Sequence, residues 1–216
     1  MTGITGTRYG EPVAINRSDV LAAARAILAQ HSLADLSMRR LATELGVSPN
    51  ALYWHYPDKQ TLLAALGDDI LAGVVPPDAD LPWDERIEAL ARSMRACLCA
   101  VPDSAELVSS SWSSGLSSMA VLDHLTAAAR AADLPERERR GLVTAIAQLV
   151  IGLTIEEQTR RQMTRLGVTN PTTRDYDEEF ADALAIVLAG ARQAAAGSRS
   201  DVSAQPRRNA PASALA

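Results

Sequence analysis

A glycine at position 46 and prolines at positions 49 and 57 confine residues 36–59 to two short helices joined by a tight turn. Ser37 precedes an apolar-periodic run and is placed to cap a helix by accepting a hydrogen bond from an orphan backbone N–H. Met38, Leu41, Ala42 and Leu45 then recur at helical spacing and form one apolar face. Gly46 supplies the left-handed conformation that ends a helix at low cost. Val47, a buried-type residue inside the turn, is expected to pack between the two helices and set their angle. Ser48 followed by Pro49 restarts a helix as N-cap and first helical residue. Pro57 stops it after about two turns. Asp58 is then placed to cap a further helix carrying Leu62, Leu63 and Leu66.

A helix of about two turns buries little. Ala51 and Leu52 can face inward. Asn50, Tyr53, Trp54, His55 and Tyr56 are too many polar and aromatic groups for one inward stripe, so several must project outward. Outward Asn, Tyr and His on a short helix suit base edges and phosphates in a major groove. Arg39 and Lys59 flank that helix and suit phosphate contacts, which position a protein without reading sequence. The competing reading is a plain helical hairpin with aromatic surface residues, but cap, turn, length and outward residues agree on a DNA-reading helix-turn-helix.

These residues resemble the tetracycline repressor (TetR) family of transcription regulators. The likeness spans an opening helix over residues 18–31, the helix-turn-helix, and the helix after Asp58. Leu52, Tyr53, Trp54 and His55, followed by Lys59, Leu62 and Leu63, are most similar to the family's tetracycline repressor branch. The resulting candidate DNA-contacting set is Ser37, Arg39, Ser48, Pro49, Asn50, Tyr53, Trp54, His55, Tyr56 and Lys59. Within it Trp54 is also suited to bracing the helix, Tyr56 to packing on the following helix, and His55 to capping the helix end.

The 216 residues can bury a sizeable core. Apolar residues make up 47% of the chain, mostly Ala and Leu, and β-branched runs are scarce, so an all-α fold is expected. The expected organisation is a flexible arm over 1–16, a three-helix DNA-binding head over 17–63, a helical regulatory and dimerisation body over 64–196, and a disordered tail over 197–216 rich in Ser, Ala, Pro and Arg. Arg8 and Arg17 are the arm's candidates for touching DNA. With no long apolar run and no signal-peptide pattern, a cytoplasmic protein without a membrane partner is expected.

The formal net charge of −5 argues at first sight against nucleic acid. From Arg17 to Lys59, however, five basic groups meet four acids, so a slightly basic head sits on an acidic body. Cys97 and Cys99, two apart on a helix, point to different faces, and read as small core-filling thiols, with a redox or thiol-reactive sensor as the alternative. No metal site and no cofactor is expected. Enzyme chemistry lacks its constellations: there are only three histidines, with no His-Glu-x-x-His, phosphate-cradling glycine loop or nucleophile elbow.

In the body, Trp83 is expected to open a long helix with Ile87, Leu90, Met94, Leu98 and Val101 inward. A helix over 105–112 gives way to a polar break at 109–115, and another helix follows over 116–132. After Pro135 comes a long helix with Leu142, Ile146, Leu149, Val150 and Leu153 inward. Gly141 and Gly152 lie in it, tolerable where another helix or a ligand approaches closely. The last helix covers 176–195. The resemblance implies that the helices over 135–163 and 176–195 make a homodimer, and a single short reading helix independently favours two-fold symmetric operator DNA.

The resemblance also implies a pocket in the body for a small-molecule effector that releases a repressor from its operator. Glu156 matches a carboxylate beside the drug-bound magnesium of the tetracycline repressor branch, whereas Ser109 stands where that branch has a metal-binding histidine. The expected pocket is lined by Met94, Leu98, Leu107, Ser111, Trp112, Leu116, Leu149 and Leu153, with Glu156 as polar anchor. The alternative is a DNA-binding dimer whose body senses a protein partner or no ligand.

Overall fold

The computed structural model describes residues 15–203, with side chains described as far as Gly197. Among the described residues there are helices and no strands: α1 (Arg17–Gln30), α2 (Met38–Leu45), α3 (Pro49–Tyr53), α4 (Lys59–Leu71), α5 (Trp83–Cys99), α6 (Ser104–Ser114), α7 (Ala120–Arg130), α8 (Glu136–Arg165) and α9 (Tyr176–Ser203), with a short 3₁₀ turn at Leu33–Asp35. The first four helices form the head. Its core is Val20, Ala24, Ile27, Leu28, Leu36, Leu41, Leu52 and Leu62, which the apolar stripes of α1 to α4 supply. Arg8 and most of the expected N-terminal arm lie outside the described residues. Asn16, at its end, closes a reciprocal capping box with Asp19: Asn16 accepts from the Asp19 N–H, and Asp19 accepts from the Asn16 N–H.

The expected head–body boundary at 63/64 falls inside α4, and the buried core runs without a break from head to body. The junction is tight. A Cβ built on Gly67 of α4 would lie 3.0 Å from Leu107 Cδ2 and 3.3 Å from Val108 Cγ2 of α6. Gly67→Val is therefore expected to cost about 1–3 kcal/mol by overpacking, read as a lower chemical-denaturation midpoint with an unchanged slope. Asp68, one residue on, accepts from the Ser117 hydroxyl at 2.5 Å and the Ser118 N–H at 2.8 Å.

Three expectations for the body are corrected. The serine run at 109–115 does not break the chain: α6 continues through Ser114 and ends at Gly115, whose φ is 72°. Ser111, Ser113 and Ser114 return their hydroxyls to carbonyls of α6 itself, at 2.8, 2.8 and 2.9 Å, so the polar groups are satisfied within the helix. The next helix starts at Ala120 rather than at 116, because Asp68 holds Ser117 and Ser118 in a loop. The last helix passes Gly197, where composition placed the start of disorder, and reaches Ser203.

Candidate nucleic-acid interface

The turn between α2 and α3 forms as its residues dictate. Ser37 Oγ accepts from the Arg40 N–H at 3.2 Å, and Ser48 Oγ accepts from the Ala51 N–H at 3.4 Å. Gly46 adopts φ 66°, and the Val47 N–H reaches the Ala42 carbonyl at 3.0 Å, closing the end of α2. Val47 is half-buried and packs against the core. Asp58 caps α4 through the Thr61 N–H at 2.7 Å, and that hydrogen bond holds its carboxyl below the usual range.

Within α3 the buried residue is Leu52, which is fully covered. Ser48, Pro49 and Asn50 are exposed, Tyr53 is 47% exposed and Trp54 89%. An indole that open braces nothing within the chain. His55 is half-buried, and its backbone N–H bonds the Leu52 carbonyl at 2.9 Å. Arg39 is exposed and Lys59 half-buried, and neither makes an ion pair among the described residues. The face thus gathers Ser37, Arg39, Ser48, Pro49, Asn50, Tyr53, Trp54, His55 and Lys59 around one short helix.

Tyr56 is corrected. Its ring is 1% exposed, the Arg17 guanidinium stacks 4.6 Å from the ring centre, and its hydroxyl donates to the Arg17 carbonyl at 3.4 Å. It ties the end of the reading helix to the start of α1 and is no DNA-facing group. The reason is position: Tyr56 follows the buried Leu52 by four residues, its N–H bonds the Leu52 carbonyl at 2.9 Å, and it therefore shares that buried face.

The expected effector pocket is also corrected. Met94, Leu98 and Leu107 are fully buried core, and the Ser111 hydroxyl is spent on the Leu107 carbonyl. Leu116 is half-exposed in the loop before α7. Trp112, Leu149 and Leu153 pack at the edge of the core. Glu156 stands on the outer face of α8, paired with Arg174. Of the nine residues, only Glu156 lines any of the clefts described in the molecule. Gly141 and Gly152 have no atom within 4 Å of a built Cβ, so no helix of this chain crowds them.

The polar interior lies elsewhere. Arg95, Glu157 and Gln158 are nearly fully buried between α5 and α8. Arg95 meets Glu157 at 2.7 Å and Asp177 at 2.6 Å, and its guanidinium faces Phe180 at 5.2 Å; Arg161 also pairs with Glu157. Burial disfavours the Arg95 charge, but Asp177 and Glu157 more than offset it and hold the group protonated. Gln158 donates to the Leu98 and Val101 carbonyls at 2.8 and 2.9 Å and accepts from the Ala105 N–H at 3.2 Å, stapling the α5–α6 turn to α8. A sequence signal existed: continuing the Ile146–Val150 stripe of α8 by helical steps reaches Thr154, Glu157 and Gln158, all buried. Burial pushes the Cys97 and Cys99 thiols up, which leaves little reactive thiolate.

Residues 20–66 match the family described as bacterial regulatory proteins, tetR family, and residues 75–171 match the tetracycline repressor-like C-terminal domain. The crystal structure of Mycobacterium smegmatis BioQ superposes with a TM-score of 0.78 at 39% identity, covering 84% of this chain and 99% of that one.

The chain belongs to the TetR family of bacterial regulatory proteins.

A structure of BioQ with its double-stranded DNA operator is similar at 38% identity and a TM-score of 0.71, over 83% of this chain and 99% of that one. The class A tetracycline repressor protein of Escherichia coli transposon 1721 is 38% identical over 91 residues, which is 41% of this chain. The chain spans only 42% of the length of that curated relative. The family assignment agrees with the α2–α3 geometry and with an all-helical body. No helix among the described residues is long and apolar enough to cross a membrane.

Proposed function

We propose that this chain is a cytoplasmic transcriptional repressor that binds a two-fold symmetric DNA operator as a homodimer and leaves it when a small molecule binds the body. The exposed pair Tyr53 and Trp54 on α3 carries this reading: large aromatics open to solvent on a capped, turn-positioned helix are positioned for a groove. Arg39 and Lys59, which make no ion pair among the described residues, are cations available for phosphates. The BioQ relative, captured with its operator, supports DNA as the partner. Open faces at Gly141 and Gly152 on α8 and at Gly190 on α9, with Ile186 73% exposed, support dimerisation through the last two helices. The head over 17–63 and the body over 64–196 are the corresponding functional units.

The solid packing of Met94, Leu98 and Leu107 favours a second reading, in which the body senses a protein partner or only dimerises. Both readings keep the DNA-binding head. Selection from a random duplex pool tests it: a two-fold symmetric sequence is expected to enrich, with half-sites about one helical turn or a multiple apart. With that duplex, Lys59→Ala is expected to lower the slope of log affinity against log salt by about one. No enrichment of any sequence removes the reading.

A further inference from the structure

A cleft of about 730 Å³ opens between the α5–α6 turn, the C-terminal half of α8 and residues 171–177. Four carboxylates line it, and each is engaged. Glu157 is held by Arg95 and Arg161, and Asp177 by Arg95. Asp175 accepts from the Asp177 and Glu178 N–H groups at 3.0 Å each, and Asp103 accepts from the Leu33 N–H at 2.8 Å. The four arginines of the wall are less complete. Arg161 and Arg174 are paired. Arg165 has no side-chain ion pair or hydrogen bond among the described residues. Arg160 reaches the Asn170 carbonyl at 3.3 Å, and its Nε is buried with no acceptor. Among the charged groups that line the cleft, the one left without a partner among the described residues is therefore positive.

Asp103 has a second task. It occupies the left-handed region at φ 58°, which a short polar side chain tolerates best, and from there its carboxylate holds the head's backbone at Leu33, just before α2. Gln158, on the same wall, fastens the turn that carries Asp103.

We propose that this cleft is a regulatory site for a small carboxylate-bearing molecule, and that Asp103 passes its occupancy to the DNA-binding head through Leu33. A carboxylate accepting from Arg160 and Arg165 brings a like charge onto the wall that carries Asp103. Repulsion from that charge disfavours the position in which the Asp103 carboxylate accepts from Leu33, and so loosens the segment that leads into α2. A ligand acts this way only if it binds the loosened arrangement better than the latched one. The proposal rests on the reading of the chain as an effector-controlled DNA-binding protein, but its test needs no operator, so the two can fail separately.

The test is titration calorimetry of the full chain with benzoate and hexanoate, each against its uncharged amide, followed by hydrogen exchange at the Leu33 amide. The carboxylates are expected to bind and the amides not. Arg165→Gln, at an exposed position that folding tolerates, is expected to weaken carboxylate binding about tenfold. Saturating benzoate is expected to speed exchange at Leu33. Asp103→Gly, which suits φ 58° without a carboxylate, is expected to exchange fast with or without benzoate, while Asp103→Asn, which keeps an acceptor, stays slow when free. The site is overturned if neither carboxylate binds, if the amides bind equally, or if Arg165→Gln changes nothing. The link to the head is overturned if benzoate binds and leaves Leu33 exchange unmoved.

Discussion

Glu157→Ala is expected to destabilise the protein by about 3–5 kcal/mol, because it strands the buried Arg95 charge. The Glu157 and Arg95 side chains are 5% and 6% exposed and meet at 2.7 Å. With Glu157 gone, the one carboxylate left to Arg95 among the described residues is Asp177, whose own side chain is 89% exposed, so that the pair is weakened by solvent. Cys99, which donates to Glu157 at 3.7 Å, loses its acceptor as well. The thermal midpoint is expected to fall on the order of 10 °C for a chain of this size. The double variant Arg95→Met/Glu157→Leu is expected to regain most of that loss, since a well-packed apolar pair replaces a buried ion pair at little cost or with a gain. Thermal unfolding of the single and double variants separates the cases. A double variant no more stable than Glu157→Ala would mean that the loss lies in packing rather than in an unpaired charge.

Tyr53→Ala is expected to weaken operator binding by about 1–3 kcal/mol while leaving non-specific binding nearly unchanged. The residue sits on the exposed side of α3, and only Leu52 beside it is needed to seat the helix, so the truncation spares the fold. Titrations of the selected operator and of an unrelated duplex at one salt concentration give both numbers. Equal losses on the two duplexes would remove Tyr53 from base readout and leave it a general surface contact. Tyr56→Phe is the contrast: Tyr56 works beneath the helix against Arg17, so its hydroxyl contributes nothing to the DNA face.

The head was legible because each of its decisions is made over a few residues. Ser37, Ser48 and Asp58 cap helices whose N–H groups lie three positions away, and Gly46 turns the chain by its own φ. Such choices follow from local sterics and hydrogen bonding, so they are readable wherever they occur. Tyr56 was readable by the same local rule, since four residues past the inward Leu52 it shares that residue's face; its aromatic and polar character pointed the other way.

The body divided in the same way. Periodicity placed α5 and α8 and half of the residues they bury, since amphipathic spacing is itself local. It missed the serines that stay inside α6, because polarity alone does not end a helix whose hydroxyls bond back to it. The pocket that the resemblance implied includes Met94, Leu98 and Leu107, which are fully buried core. Whether facing helices leave a gap depends on their angle and separation, which no single stripe encodes.

By itself, then, the amino-acid order determined the class of fold, the reading helix, its caps and the family. Only the tertiary structure decided which partners meet across long stretches of chain: Arg95 with Glu157, Gln158 with the α5–α6 turn, and Asp103 with Leu33. The reason is physical. A cap or a turn lowers free energy between neighbours in the chain, while these contacts exist only after burial has brought distant segments together and made their polar groups seek one another.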